Sequence, residues 1–358
     1  MKRVIALADR GALPLVKLLV AANLLFFLSF ALMVALATER ARAEEVTCSG
    51  KDMLAELKTS DPAALARIEA EAGRTENGEG LLWKIEKDGG PASYLFGTMH
   101  VTDPRVTALP PAAQTAYDAS GTVVIETTDV LDQSKMAAIM VERPELMMFT
   151  DDTTLASLIP PGEVDGVNKA LEARGIPPYS VAKMKPWIIS AMIALPACEL
   201  QRKAGGAPVL DIKLGHEAAA AGKTLEGLET AVDQLEAMAS LPMQFHIQGL
   251  VDTLKLGDRV DDVIETMIVL YTRGDTGMFW PLFNAVLPDG GGGEASGYAA
   301  FEETMITARN RTMAEHAVPI LDAGNAFIAV GALHLPGPEG LVALLRKAGY
   351  TVSRADRG

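Results

Sequence analysis

Two copies of one short pattern, ending at His100 and His334 and so 234 positions apart, constrain this chain more than any other feature. The first copy is Ser93-Tyr94-Leu95-Phe96-Gly97-Thr98-Met99-His100. The second is Ala326-Phe327-Ile328-Ala329-Val330-Gly331-Ala332-Leu333-His334. Each is a short apolar run bounded by turn residues, as expected of a buried strand. Each closes with Gly-x-x-His. The glycine falls where a strand must bend or let another group approach closely. The histidine then projects from the strand's carboxyl end, the edge at which open α/β sheets bind ligands. With 32 Gly and 5 His in the chain, random placement gives roughly 0.4–0.5 such spacings. Spacing alone therefore says little. The shared context carries the weight, because both motifs end an apolar strand and enter a loop.

Composition narrows the partners. The formal charge is −14 over 358 residues, and the first 43 hold six basic and two acidic residues, which leaves about −18 on the remainder. A surface that acidic disfavours nucleic acid and anionic lipid. It suits peptides, neutral substrates or divalent cations. Aromatic content is only 5%, so the core must be mostly aliphatic.

The first 43 residues read as a targeting segment. Lys2, Arg3, Arg10 and Lys17 precede an apolar run over 18–37, and Ala41-Arg42-Ala43 offers a cleavage site. The run is nearly long enough to stay as a membrane anchor. Either reading exports the body of the chain to a periplasmic or extracytoplasmic compartment, and the second adds membrane association. There, Cys48 and Cys198 are a disulfide candidate. The alternative is two buried thiols.

Residues 44–80 read as a helical lead-in. Strands follow at 81–86 and 93–96, joined by Asp88-Gly89-Gly90, a hairpin signal. A helix at 112–119 leads to a strand at 122–125 that ends in Glu126. From 131 to 285 the pattern is mainly helical and punctuated by proline, with a short strand at 223–228 ending in Glu229. The glycines at 290–293 mark a loop. A long helix over 299–321 carries Arg309, Asn310 and Arg311, and a helix and a strand follow the second motif. The expected fold is α/β: a mixed central sheet assembled from the N- and C-terminal β-GxxH-α-β parts, with residues 131–285 as a helical cap.

His100, His334 and Glu126 are the candidate ligands. Two imidazoles and a carboxylate make a plausible first shell for a divalent cation. A carboxylate at the end of a buried strand must be paired, by a metal or by an arginine such as Arg309. Glu229 presents the same picture. Arg309 and Asn310 rank above Arg311 as inward-facing residues, and could stabilise an oxyanion. His216, His246 and His316 lie within helices and read as structural. The contiguous zinc-protease signature, the nucleophile elbow and the P-loop are absent from the sequence.

Taken together, Phe96-Gly97-Thr98-Met99-His100, Val124-Ile125-Glu126, Gly227-Leu228-Glu229-Thr230, Arg309-Asn310 with Met313, Val330-Gly331-Ala332-Leu333-His334 and Gly340-Leu341 to Gly349-Tyr350 resemble the TraB/PrgY/GumN family, which includes the Tiki-like proteins. The resemblance covers residues 81–353. It implies a fold similar to the erythromycin-esterase/ChaN group. It also implies a divalent-metal-dependent protease, with Mn, Co or Zn as candidate metals and a peptide or protein as substrate. By position, His100 and His334 are the motif histidines and Glu126 the strand-end acid. In that scheme Glu126 is the third ligand or general base, Arg309 or Asn310 faces the oxyanion, and Glu229 supports a residue behind the ligands or orients Arg309. The competing expectation is a non-enzymatic binder that sequesters a peptide, haem or metal in the same pocket.

Overall fold

The computed structural model describes residues 46–286 and 298–356. The expected targeting segment and the glycine loop at 290–293 lie outside the described residues. The chain divides into two units, residues 1–47 and 48–358, and everything below concerns the second.

Six strands form one sheet: β1 (Leu82–Glu86), β2 (Ser93–Thr98), β3 (Thr122–Ile125), β4 (Thr224–Gly227), β5 (Ala326–Gly331) and β6 (Thr351–Arg354), in the order β4-β3-β5-β2-β1-β6. The pairs β2·β5, β5·β3 and β3·β4 are parallel, while β1 runs antiparallel to both β2 and β6. The sheet is therefore mixed and the fold α/β, as the strand pattern requires. The β1–β2 connection turns at Asp88 and Gly89, both at positive φ, the backbone that an Asp-Gly turn adopts readily. After β2 the chain skips one position to form β3. The gap is filled only by β5, more than 200 residues later. The two Gly-x-x-His strands thus lie side by side at the centre.

The central strands are buried on both faces, which is why they read as continuous apolar runs. Phe96, Val123, Ile125, Phe327 and Ala329 face one core, and Leu95, Val124, Ile328 and Val330 face the other. The first face is covered by the helices Pro111–Ala119, Leu210–Ala220 and Arg259–Arg273, through Ala116, Leu214 and Met267 among others. The second is covered by Ala308–Ala323 and Leu341–Lys347, through Met313, Leu321 and Leu345. Helices on both faces of a mostly parallel sheet make a three-layer architecture.

The span expected to form the cap is divided. β4, Leu210–Ala220 and Arg259–Arg273 belong to the sheet layers. What stands apart is a smaller helical body with its own apolar core. Leu171, Ile189, Ile193 and Leu250 meet there, from Val164–Ala173, Pro186–Ile193 and Met243–Leu256. Hydrophobic patterning marks a helix's buried face but not which core receives it.

The lead-in is two helices, Met53–Ser60 and Pro62–Ala72. Asp52 and Asp61 accept hydrogen bonds from the first-turn amides of these helices, and Pro62 opens the second. Just ahead of them, Cys48 is bonded to Cys198, with Cα atoms 5.4 Å apart. Cys198 sits in the helix Ala197–Ala204, and its neighbour Glu199 is fully buried. Glu199 accepts from the backbone N–H and hydroxyl of Thr102 at 2.7 and 2.8 Å. The disulfide therefore anchors the helix that clamps the loop after His100. Its ring spans 150 residues, so Cys198→Ser is expected to cost about 2–4 kcal/mol. Urea unfolding with and without reductant measures it, and identical midpoints would show that packing alone holds the clamp.

Candidate functional site

Four neighbouring parallel strands each deliver one side chain to the same edge. His100 lies two residues beyond β2, Glu126 directly after β3, Glu229 two beyond β4 and His334 three beyond β5. The register sets the ends level: Thr98 opposes Gly331, and Ile125 opposes both Ala329 and Gly227.

The motif glycines are explained by close approach rather than by a turn. A Cβ at Gly97 would stand 2.7 Å from Leu335 Cδ1 and 3.1 Å from Ala332, both in the turn of the second motif. A Cβ at Gly331 would come within 3.2 Å of Glu126 Oε1 and 3.4 Å of the His334 ring. Each glycine thus makes room for part of the site.

Glu126 is buried, and each of its oxygens is held. Oε1 accepts the Gly331 N–H at 2.7 Å. Oε2 accepts Arg309 Nη2 at 2.7 Å and Gln234 Nε2 at 3.0 Å. Burial works against its ionisation. The neighbouring His334, His100 and Arg309 and the Gly331 amide outweigh burial and bring its pKa down to about 2. Arg309 is itself shared, donating from Nε and Nη2 to Glu229 at 3.0 and 2.7 Å. Its Nη1 donates to the Met305 carbonyl at 3.2 Å. Met305 belongs to a π-helical segment, Glu303–Thr307, just before the helix that carries Arg309. Such a segment shifts the phase of the helix. Arg309 and Asn310 face inward, whereas Arg311 is exposed and pairs with Glu303 and Glu339.

His334 is also buried. Its Nδ1 lies 2.7 Å from Asn310 Oδ1, and Asn310 Nδ2 donates to the Glu339 carbonyl at 2.8 Å. That second bond fixes the amide's orientation. The oxygen facing His334 can only accept, so Nδ1 carries the proton and Nε2 keeps its lone pair. Burial pushes the pKa of this imidazole down to about 4 against the pull of Glu126. It is neutral at neutral pH, with Nε2 3.8 Å from Glu126 Oε1. Arg309 or Asn310 was expected to face an oxyanion. The Asn310 amide is committed to His334 on one side and to a carbonyl on the other, and Arg309 to Glu126, Glu229 and the Met305 carbonyl.

His100 is different, with a side chain 60% exposed. Its Nε2 lies 3.5 Å from Asp211 Oδ2, whose charge raises the histidine's pKa, although water reaches the ring and screens the pair. Asp211 sits in the first turn of Leu210–Ala220. Thr98 Oγ1 donates to its Oδ1 at 2.7 Å, while the buried Oδ2 has no hydrogen-bond partner. That oxygen is left to the longer ion pair with His100. His100, Glu126, Asp211 and Gln234 line one cavity of about 220 Å³. Sequence reasoning missed Asp211 and Gln234. An acid in the first turn of a helix is ordinary, and only the Leu210-Asp211 step out of Pro208-Val209 hinted at a helix start.

The other histidines stand elsewhere. His216 is exposed, His246 is buried in the cap helix, and His316 Nδ1 lies 2.5 Å from the Leu228 carbonyl. In chemistry, the donors at the strand edge suit a divalent cation: a neutral imidazole with its far nitrogen tied back, and carboxylates. In position they stand as two pairs, His100 with Asp211 and His334 with Glu126. Among the described residues no three of His, Cys, Asp or Glu gather closely enough to hold one ion. The convergence of His100, His334 and Glu126 expected from the sequence is thus a shared edge rather than a formed three-ligand centre.

Comparison with known proteins bears on this edge. The chain is 24% identical over 320 residues to a protein named metalloprotease TIKI2 from Danio rerio, covering 76% of this chain and 60% of the relative. It is 25% identical over 351 residues to metalloprotease TIKI1 from Xenopus tropicalis, covering 85% and 66%. It is 24% identical over 323 residues to metalloprotease TIKI1 from Homo sapiens, covering 78% and 62%. The chain thus spans about three-fifths to two-thirds of the length of these relatives. No solved structure matches it. The model of the TraB/PrgY/gumN family matches residues 81–354, from the start of the sheet to its last strand and with every edge residue described above inside it, so the chain belongs to the TraB/PrgY/gumN family.

Proposed function

We propose that this protein is an exported hydrolase of the peptidase class that works with a divalent cation, Mn, Co or Zn. The observation that carries the reading is the paired state at the strand edge: an ionised, buried Glu126 beside a neutral His334 whose Nε2 lone pair is free. The metalloprotease names of its relatives support it. Kinship with the erythromycin-esterase/ChaN group belongs to the same proposal.

His334, Glu126, His100 and Asp211 would supply the donors for the cation. When bound, the cation contributes Lewis acidity toward a substrate carbonyl. The rest is the work of this chain. Asn310 keeps His334 in the tautomer that offers Nε2. Arg309 and the Gly331 amide keep Glu126 ionised, the form that can hold a cation. Glu229 keeps Arg309 aimed at Glu126. Asp211 holds the exposed His100 ring over the cavity, and Glu199 restrains the loop that carries it.

The test is incubation of the purified protein with a mixed peptide library, with and without each metal, with products read by mass spectrometry. Metal-stimulated cleavage is expected. His334→Ala should reduce it by roughly 10³-fold or more while the circular dichroism spectrum stays native. Asp211→Asn should cost roughly 10–100-fold in metal affinity, measured by titration calorimetry. Tight binding of a peptide, haem or metal with no turnover under any metal would favour a sequestering protein instead.

A further inference from the structure

A cleft of about 690 Å³ has Asn310 and Leu333 in its wall, together with Trp280, Arg74 and Glu302. A second hollow of about 320 Å³ shares Trp280 and Leu333 with it. Leu333 is the residue immediately before His334. The two spaces therefore adjoin through a side chain that belongs to the second Gly-x-x-His motif.

The hollow is aromatic. Phe245, Phe283 and Phe301 join Trp280 in its wall. Ring centroids are 5.6 Å apart for Phe245–Phe301, 6.0 Å for Trp280–Phe301 and 6.2 Å for Trp280–Phe283. Two of the polar groups that line it bond within their own helix. Thr253 Oγ1 donates to the Gly249 carbonyl, and Asp252 accepts from Gln248. An anionic guest would leave water for a wall whose one charged lining residue among those described, Asp252, has the same sign.

Gly249 singles this space out. It lies in the interior of the helix Met243–Leu256 and lines the hollow. A Cβ built there would meet no atom of the described residues within 4 Å. Glycine within a helix is less favourable than alanine. No neighbour among the described residues requires it here. What the glycine leaves is open volume in an apolar pocket, where folding by itself would favour a side chain that fills it.

We propose that this hollow receives one bulky apolar side chain (Leu, Met, Phe or Trp) of a peptide lying in the adjoining cleft. The inference rests on the peptidase reading and adds its substrate preference. It is tested with the peptide library and the variant Gly249→Phe, which plugs the hollow and gains helix propensity. Wild type should favour peptides with a bulky apolar residue at one fixed position from the cut by roughly 10-fold or more over alanine. Gly249→Phe should erase that preference while its circular dichroism spectrum stays native. Cleavage without such a preference, or a preference unchanged in Gly249→Phe, overturns the pocket and leaves the peptidase reading standing. Should nothing be cleaved, calorimetry of a phenylalanine-containing peptide and its alanine counterpart decides the pocket alone. At least a 10-fold difference in affinity, lost in Gly249→Phe, supports it, and equal affinity overturns it.

Discussion

Arg309→Ala is expected to lower the unfolding free energy by about 3–5 kcal/mol. The arginine side chain is 12% exposed, and its partners Glu126 and Glu229 are 9% and 3% exposed. Removing it leaves two buried carboxylates with no cation between them, and that uncompensated charge is what destabilises. Gln234 bridges the same two groups, at 3.0 and 3.4 Å, but brings only a dipole. Arg309→Ala combined with Glu229→Gln should therefore recover part of the loss, because one charge is then gone. Arg311→Ala is the control, since its partners are exposed, and it should change stability by less than about 1 kcal/mol. Urea unfolding of the four proteins decides the matter. A loss below 1 kcal/mol in Arg309→Ala would mean that water, not the arginine, solvates the two acids.

The second large effect is a loss of stability in acid, measured on metal-free protein. The His334 imidazole titrates at about 4 in the fold, against 6.5 when unperturbed. Between those values the unfolded chain takes up a proton that the folded chain refuses, so stability falls as pH drops from 6.5 toward 4. Glu126 continues the trend from 4.5 down to about 2, because its folded form stays ionised while the unfolded form is protonated. Both groups act in the same direction. For each group the loss begins at its unperturbed value and is complete below its folded one. His100 has the opposite sign, since its pKa is raised and its contribution fades as pH rises. Its exposed ring makes that contribution small. Thermal unfolding followed from pH 7 to pH 3 should show a steady fall in midpoint. Glu126→Gln should flatten the section below pH 4.5, and His334→Gln the section above it. A profile unchanged by either substitution would mean that other acids govern the fall.

Local pattern located every strand to within about two residues, because a run such as Thr122-Val123-Val124-Ile125 is too short and too β-branched to be much else. It also identified the acids that end β3 and β4, from the rule that a charge at the end of a buried strand must be paired. It ranked Arg309 and Asn310 above Arg311 without choosing between a metal and an arginine as the partner of Glu126. The same pattern could not show that Gly97 exists for Leu335 and Ala332, since those atoms arrive from the far end of the chain. Nor could it find Asp211, whose importance lies in meeting His100 from a different part of the chain.

Residue order alone determined the chemistry available to this protein: two Gly-x-x-His strands, strand-end carboxylates, an Arg-Asn pair and one pair of cysteines. Folding decided how that chemistry is shared out. Placing β5 between β2 and β3 brings the second motif against the first and turns Asn310 into the partner of His334. It also gives Asp211 to His100 and leaves the donors as two pairs along one edge. The physical reason is that sequence patterns report a residue's neighbours along its own helix or strand. Burial, hydrogen-bond geometry and charge pairing depend instead on atoms that meet only when distant segments close on one sheet.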